Sequence, residues 1–286
     1  MMLSGDEKAG AAPETALGAH YAFGKNWKRF AADLDAARIS HAVRELARLI
    51  PPIDVAGKTF LDVGSGSGLS ALAALRLGAM RVEAVDLDPD SVATSRAVLG
   101  RFAPGTAWRV QEGSALELDP AVLGRFDIVY SWGVLHHTGA MWRAIGACLP
   151  LVAEGGLLVL ALYRKTPICG FWRWEKRLYS RAPQILRAMI AALYKTAYVA
   201  GLLATGRNPG AYIRAYVSNR GMSWRTDVED WLGGYPYESV SPDELCAALG
   251  ERGFEVVRSF TKPARLGGFL GTHCDEYVFR KSGVAS

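Results

Sequence analysis

The stretch from Lys58 to Gly78 constrains this chain most. A short apolar run, Phe60 to Val63, reads as a buried strand, and Gly64, Gly66 and Gly68 follow it at alternate positions. Glycines so placed let the backbone turn tightly beneath a ligand with no Cβ in the way. Helical spacing begins at once, with Leu69, Leu72, Ala73, Leu75 and Leu77 apolar and Gly78 set to end the helix. A loop of this kind holds a cofactor.

The details of the spacing narrow the choice of cofactor. The dinucleotide pattern Gly-x-Gly-x-x-Gly is not met from Gly64, because Leu69 occupies the third glycine position; only the shifted register Gly66, Gly68, Ala71 fits its looser variant. Asp62 lies two residues before the first glycine, where a carboxylate can accept hydrogen bonds from an amino-acid ammonium. A second strand, Arg81 to Val85, ends in Asp86, and a carboxylate there can take both hydroxyls of a ribose. Asp-Val-Gly-Ser-Gly-Ser-Gly followed by an acid-ended second strand resembles the class I S-adenosylmethionine-dependent methyltransferases. The resemblance implies an α/β, Rossmann-like sheet of seven strands, mostly parallel with an antiparallel last strand, and helices on both faces. It also implies S-adenosylmethionine as cofactor, held by Asp62, Gly64, Ser65, Gly66, Gly68, Asp86 and Leu87.

At 286 residues the chain is long enough for one full α/β domain plus an insertion, and its 50% apolar content supports a substantial core. Cys148, Cys169, Cys246 and Cys274 lie far apart with no paired spacing. Neither a zinc site nor a disulfide framework is expected, and a reducing, cytoplasmic setting is. Residues 1–18 are small and polar with no apolar centre, so they read as a disordered tail and not as a signal peptide or membrane span.

Residues 19–163 read as the cofactor-binding core with an N-terminal cap. Tyr21, Phe23, Trp27 and Phe30 stand among Lys25, Lys28 and Arg29 and must bury somewhere. They fold either over the cofactor mouth, where Tyr21 and Trp27 would meet substrate, or against the back of the sheet. A helix follows, with Ile39, Ala42, Val43, Leu46, Leu49 and Ile50 on one face, and Pro51-Pro52 stops it. Asp88-Pro89 reads as an N-cap and first helical residue. The third strand, Ala107 to Gln111, runs toward Gly113, Ser114 and Ala115. Residues there hold the adenine edge in the family, often through an aspartate; with none here, backbone groups are left to do it.

The fourth strand, Phe126 to Tyr130, leads into Ser131-Trp-Gly-Val-Leu-His-His-Thr138. This stretch is similar to the ubiquinone-biosynthesis methyltransferases, whose fourth strand ends in an apolar stretch and a histidine pair. That likeness implies that the backbone at Ser131 and Trp132 faces the methionine end of the cofactor. It also makes His136 the base that takes a proton from an attacking hydroxyl or amine, since imidazole titrates near neutrality. The plainer alternative is that the pair caps the next helix, whose inner face would be Met141, Trp142, Ile145 and Leu149. Gly155-Gly156 turns into the fifth strand, Leu157 to Tyr163, apolar throughout as a central parallel strand should be.

Residues 164–240 form a helical insertion that the minimal fold does not need. From Arg164 to Arg225 there are twelve Lys or Arg against one acid, Glu175, which is +11 in a chain of net +5. The stretch is also apolar and aromatic: Phe171, Trp172 and Trp174, then Gln184 to Ala204 with only Arg187 and Lys195 charged. Three readings compete: a lid over the substrate pocket, a surface that docks on anionic lipid, and a nucleic-acid platform. The last is weakest, because the aromatics cluster with aliphatics instead of alternating with the cations. A bilayer span is disfavoured by the two cations and many alanines. Thr226 and Glu229 have the spacing of a capping box. Arg220, Trp224, Tyr235 and Tyr163 are candidates for an acceptor pocket, or else members of a cluster that fastens the lid.

Residues 241–286 complete the core sheet. Ser241-Pro-Asp-Glu244 is a second capping box, and Phe254 to Phe260 and Glu276 to Arg280 read as the last two strands. His273, Cys274 and Asp275 are site candidates by position only. No metal-ligand spacing is visible. The expected activity is methyl transfer to an O, N or C atom of a small or lipid-like acceptor, with S-adenosylhomocysteine released. The rivals are an NAD(P)-dependent oxidoreductase using the shifted glycine register, a scaffold that keeps the fold without turnover, and a protein that binds S-adenosylmethionine for other chemistry.

Overall fold

The computed structural model describes residues 23–220, 224–261 and 273–283. Tyr21, the expected tail 1–18 and most of the loop before His273 lie outside these residues. The strands are β1 (Thr59–Val63), β2 (Arg81–Asp86), β3 (Trp108–Glu112), β4 (Phe126–Trp132), β5 (Val152–Tyr163), β6 (Phe254–Phe260) and β7 (Cys274–Lys281). They form one sheet in the order β3-β2-β1-β4-β5-β7-β6. The first five are parallel, and β7 runs antiparallel to both β5 and β6. Chain order reverses at β1, which lies between β2 and β4; in open α/β sheets ligands bind at the carboxyl ends of strands at such a point.

Strand alternation sorts the side chains into two cores. Phe60, Val82, Ile128, Tyr130 and Val159 face one layer, filled by the helices α1 (Phe23–Ala32), α2 (Ala36–Leu49), the short α3 (Pro52–Val55), α4 (Leu69–Arg76) and α5 (Pro89–Phe102). Leu61, Val63, Val129, Leu158 and Phe279 face the other, with α6 (Pro120–Leu123) and α7 (Met141–Cys148). Pro52 does not only stop a helix: it begins α3, a place proline tolerates because the first helical N–H needs no partner. On α7 the buried residues are Met141, Ala144, Ile145 and Cys148, and Trp142 faces out, 45% exposed. The small side chains of Ala144 and Cys148 let α7 sit close to the sheet and turn the large indole away.

The insertion comprises α8 (Cys169–Arg181), α9 (Gln184–Ala204), α10 (Pro209–Arg220) and α11 (Trp224–Gly233). Its two ends meet beside the end of β5: Arg164 bridges to Val240, Lys165 N–H donates to Val240 O at 3.0 Å, and Val240 N–H donates to Tyr163 O at 3.0 Å. The helices share a small core of Tyr179, Ala191, Val228 and Leu232. Because α11 starts at Trp224, position 226 is inside the helix and not before it, and Glu229 pairs with Arg225 at 3.0 Å instead. The side chain of Thr226 is outside the described residues. The capping box before α12 (Pro242–Gly250) forms as expected, with Ser241 and Glu244 exchanging hydrogen bonds at 3.2 and 3.0 Å.

Arg164, at the root of the insertion, donates through Nε to Asp275 at 2.6 Å, and Asp275 is buried and also accepts from the Tyr277 hydroxyl. Asp275 is therefore a strut between β7 and the insertion. Removing one partner of a buried ion pair strands the other. Asp275→Ala should lower the unfolding free energy by about 3 kcal/mol in urea titrations, and an unchanged midpoint would show the strut to be idle.

Candidate active site at the β1 to β4 carboxyl ends

The glycine loop is held from two sides. Gly64 N–H donates to Val85 O at 2.7 Å and Gly66 N–H to Asp86 Oδ2 at 2.8 Å, while Asp88 N–H occupies Asp86 Oδ1 at 2.9 Å. From α5, the buried Ser95 hydroxyl reaches Gly66 O at 3.2 Å and Ser65 Oγ at 3.1 Å. Ser95 was not anticipated, since a serine in a helix carries no sequence signal for a loop two elements away. Gly68 has φ +74°, and a Cβ there would lie 2.9 Å from the Cα of Ser95, so this position needs glycine both for its dihedral and for the close approach of α5. Gly66, at φ +53°, lies under the Trp27 indole, which a Cβ would meet at 3.0 Å.

That contact answers where the N-terminal aromatics go. Helix α1 packs on α5, Gly24 N–H donates to Asp88 Oδ2 at 3.0 Å, and Trp27 covers the glycine loop instead of the back of the sheet. The Asn26 side chain, also buried, donates to Asp230 of the insertion. One short helix thus touches both the glycine loop and the insertion.

Asp62 is buried, with one carboxyl oxygen lacking any hydrogen-bond partner. Burial, with the nearby Asp86 adding to it, pushes its pKa up to about 7. Asp86 is raised by burial as well, but the N–H groups of Asp88, Gly66 and Leu87 pull it back down. The carboxylate still has acceptor capacity for a further donor. Gly113 adjoins it, donating N–H to Asp86 O at 2.9 Å, whereas Ser114 turns its hydroxyl to accept from Leu116 N–H at 3.2 Å and Ala115 packs into the core. The Ser131 hydroxyl donates to Val63 O at 2.9 Å and so ties the end of β4 to β1. The Trp132 indole turns to β7, donating to Glu276 Oε1 at 2.8 Å, so only its backbone remains near the crevice.

The histidine pair forms a single turn of 3-10 helix, Leu135–His137, and does not cap α7. Glu238 does that, accepting Met141 N–H at 2.8 Å. His137 Nδ1 is held 2.7 Å from Pro236 O. His136 is fully buried: its Nδ1 accepts Tyr163 N–H at 3.4 Å, its ring lies 3.9 Å from that of Tyr163, and its Nε2 has no partner. Burial first, then His137 and Lys176, hold its pKa well below the ordinary value. With Nδ1 accepting, Nε2 carries the hydrogen. In this arrangement His136 presents a donor at Nε2.

Beyond His136 an aromatic cluster joins the core to the insertion. Tyr163 packs against Trp231 and Tyr237, each with ring centres at 5.3 Å. Behind them the fully buried Lys176 sits 3.6 Å from the Trp231 ring centre and donates to Trp231 O. Burial lowers its pKa and raises that of Glu175, with each charge opposing the other's shift, and the two Glu175 oxygens have no hydrogen-bond partner. Sequence reading passed over both, because adjacent opposite charges in a basic stretch read as solvated. Trp224 lies elsewhere, against Tyr198 in the helical cluster of the insertion. Tyr235 is in the turn before Pro236, its N–H bonded to Gly233 O. Tyr21 and the side chain of Arg220 are outside the described residues. Among the described residues no group of His, Cys, Asp and Glu is placed to hold a metal.

The profile of the family described as Methyltransferase domain matches residues 33–259, most of the chain. The chain belongs to this family. Membership sets aside the oxidoreductase alternative raised by the shifted glycine register. A ubiquinone biosynthesis O-methyltransferase of Xanthomonas oryzae pv. oryzae (strain PXO99A) is 36% identical over 115 residues, covering 40% of this chain and 47% of that protein. The chain thus spans about half the length of the curated relatives it matches. Among solved structures, magnesium protoporphyrin IX methyltransferase from Synechocystis PCC 6803 with bound SAH superposes with TM-score 0.54 at 16% identity, covering 90% of this chain and 94% of that one. The cyclase SpnF superposes with TM-score 0.55 at 15% identity, covering 92% and 94%. These two share the fold, and their different reactions show that the sheet alone does not name the chemistry.

The His136 geometry is open to direct measurement. A histidine-selective 15N–1H spectrum at pH 6 should show one ring neutral with its proton on Nε2, and a protonated ring there would overturn the assignment.

Proposed function

We propose that the chain is an S-adenosylmethionine-dependent methyltransferase that places a methyl group on an O, N or C atom of a small or lipid-like acceptor and releases S-adenosylhomocysteine. It works in the cytoplasm, in peripheral contact with the inner face of an anionic membrane. One observation carries the reading: a buried carboxyl oxygen of Asp62, without a partner, at the foot of a three-glycine loop shaped by Asp86.

When bound, the sulfonium cofactor supplies an activated methyl for in-line displacement. Asp62 holds the ammonium of its amino-acid part, and Asp86 takes the ribose hydroxyls on the lone pairs that Gly66 and Asp88 leave free. Backbone groups at Leu87, Gly113, Ser114 and Ala115 meet the adenine, while those at Ser131 and Trp132 meet the methionine end. Trp27 covers the loop and excludes water from it. On the acceptor side Tyr163, Trp231 and Tyr237 offer aromatic faces, suited to a ring-bearing or amphipathic acceptor. His136 offers Nε2–H to the attacking atom and positions it.

Asp230 is our choice for the group that takes the proton. It lies on α11 next to Trp231, one oxygen is held by Asn26, and burial pushes its pKa up to about 7, with Asn26 opposing and Asp227 and Glu229 adding to the rise. A base with that affinity suits transfer near neutral pH. In Asp230→Asn the rise of kcat with pH around 7 should vanish, and kcat should fall by about 100-fold or more. His136→Ala should keep the rise while slowing turnover; the opposite pattern would return the base role to His136.

Calorimetry with S-adenosylhomocysteine tests the cofactor assignment. The ammonium favours ionised Asp62, so affinity should be full above pH 7 and weaken as pH falls, by up to about tenfold per unit. Asp62→Asn should flatten that dependence. Binding of NAD in place of S-adenosylhomocysteine would overturn the reading, and extracts incubated with labelled donor would reveal the acceptor.

A further inference from the structure

Helix α9 is amphipathic in the reverse sense. Its outward residues are Ile185, Ala188, Met189, Ala192, Leu193, Thr196, Ala197, Ala200 and Leu203, a stripe without a charge, in which Ile185, Met189 and Leu193 are 78, 63 and 73% exposed. A soluble surface helix shows the opposite pattern. Next to it on α8, Phe171, Trp174 and Leu178 form a second exposed apolar row, and Arg173, Arg177 and Arg181 are exposed beside them. Arg207 and Arg214 follow beyond the end of α9, both exposed. From Lys165 to Arg225 the only acid is Glu175, and it is buried. The exposed surface of α8 to α10 therefore carries cations and apolar groups with no carboxylate among them.

We infer that this face docks on a bilayer rich in anionic lipid, with α9 lying in the interface plane and its uncharged stripe sunk among the acyl chains. Exposed patches of this size mark interaction sites. A partner must supply both an apolar layer and negative charge, and an anionic lipid surface supplies both over the length of the helix, about 30 Å. Trp174 and Phe171 are the residue types that favour the headgroup boundary, and the arginines reach phosphates.

The helix is long and apolar enough to cross a membrane, yet its other side is fastened to the rest of the insertion. Ala191 and Leu202 are buried, Tyr194 packs on Trp172, the Tyr198 and Tyr212 hydroxyls bond at 2.8 Å, and Arg187 donates to Ser180 O at 2.5 Å. Spanning would tear these contacts from the domain. Docking also puts the acceptor site close to lipid, because α8 and α9 pack on α11, whose Trp231 lies against Tyr163. This placement rests on the peripheral contact proposed above and is independent of the methyl-transfer chemistry.

Flotation of the full chain with mixed phosphatidylcholine–phosphatidylglycerol vesicles, against pure phosphatidylcholine, tests it. The anionic vesicles should bind about tenfold or more tightly, and high salt should release much of the protein. The triple variant Ile185→Glu, Met189→Glu, Leu193→Glu should lose binding, and Arg177→Gln with Arg207→Gln should lose the preference for anionic lipid. Circular dichroism and the unfolding midpoint should be unchanged in both. Equal binding to both vesicle types, or a triple variant that floats like the wild type, would overturn the inference. So would resistance to carbonate extraction, which means a span, or a dimer that the triple variant dissolves, which assigns the face to a second copy. Affinity for S-adenosylhomocysteine, measured in parallel, fails or survives independently of flotation.

Discussion

The Asp86 carboxylate is the anchor of this site. It ends β2 and accepts N–H groups from Gly66 and Asp88, so one side chain sets both the glycine loop and the start of α5. Asp88 in turn caps α5 and receives Gly24 N–H, which brings α1 over the loop. The chain of bonds runs from strand end to loop, helix and insertion. Asp86 sits near Asp62, and the repulsion between two carboxylates in a place with little water leaves Asp62 ready to be neutralised by a cation. A buried like-charge pair is costly to an empty protein and useful to one that binds an ammonium.

Much of this frame was legible before any coordinates. The strand from Phe60, the glycines, Asp86, the Asp88-Pro89 start and the Ser241 box are local patterns, in which residues a few positions apart decide the backbone between them. Contacts between distant segments were not legible in the same way. Nothing near Asn26 announces Asp230, 204 residues later, and nothing near Met141 announces Glu238 as its cap. The histidine pair was legible as chemistry but not as a state: burial and the neighbours His137 and Lys176 keep the His136 ring neutral, and the Tyr163 N–H decides which nitrogen holds the proton. Trp142 misled because helical spacing identifies a face and does not say that its largest member points inward.

The insertion follows different rules from the sheet it leaves. The sheet buries its aliphatic residues in two layers, whereas the insertion has a small core and relies on aromatic rings, from Trp172 through Trp231 to Tyr163 and His136. The cost of this cluster is the desolvated Lys176, kept in place by the Trp231 carbonyl and ring.

The two ends of those 77 residues leave and re-enter the sheet through a doorway one residue pair wide, Arg164 beside Val240. A unit whose two ends leave and re-enter the sheet side by side can be lengthened, shortened or exchanged while every strand stays in register. The insertion is thereby free to diverge, and the strands and the glycine loop have no need to follow.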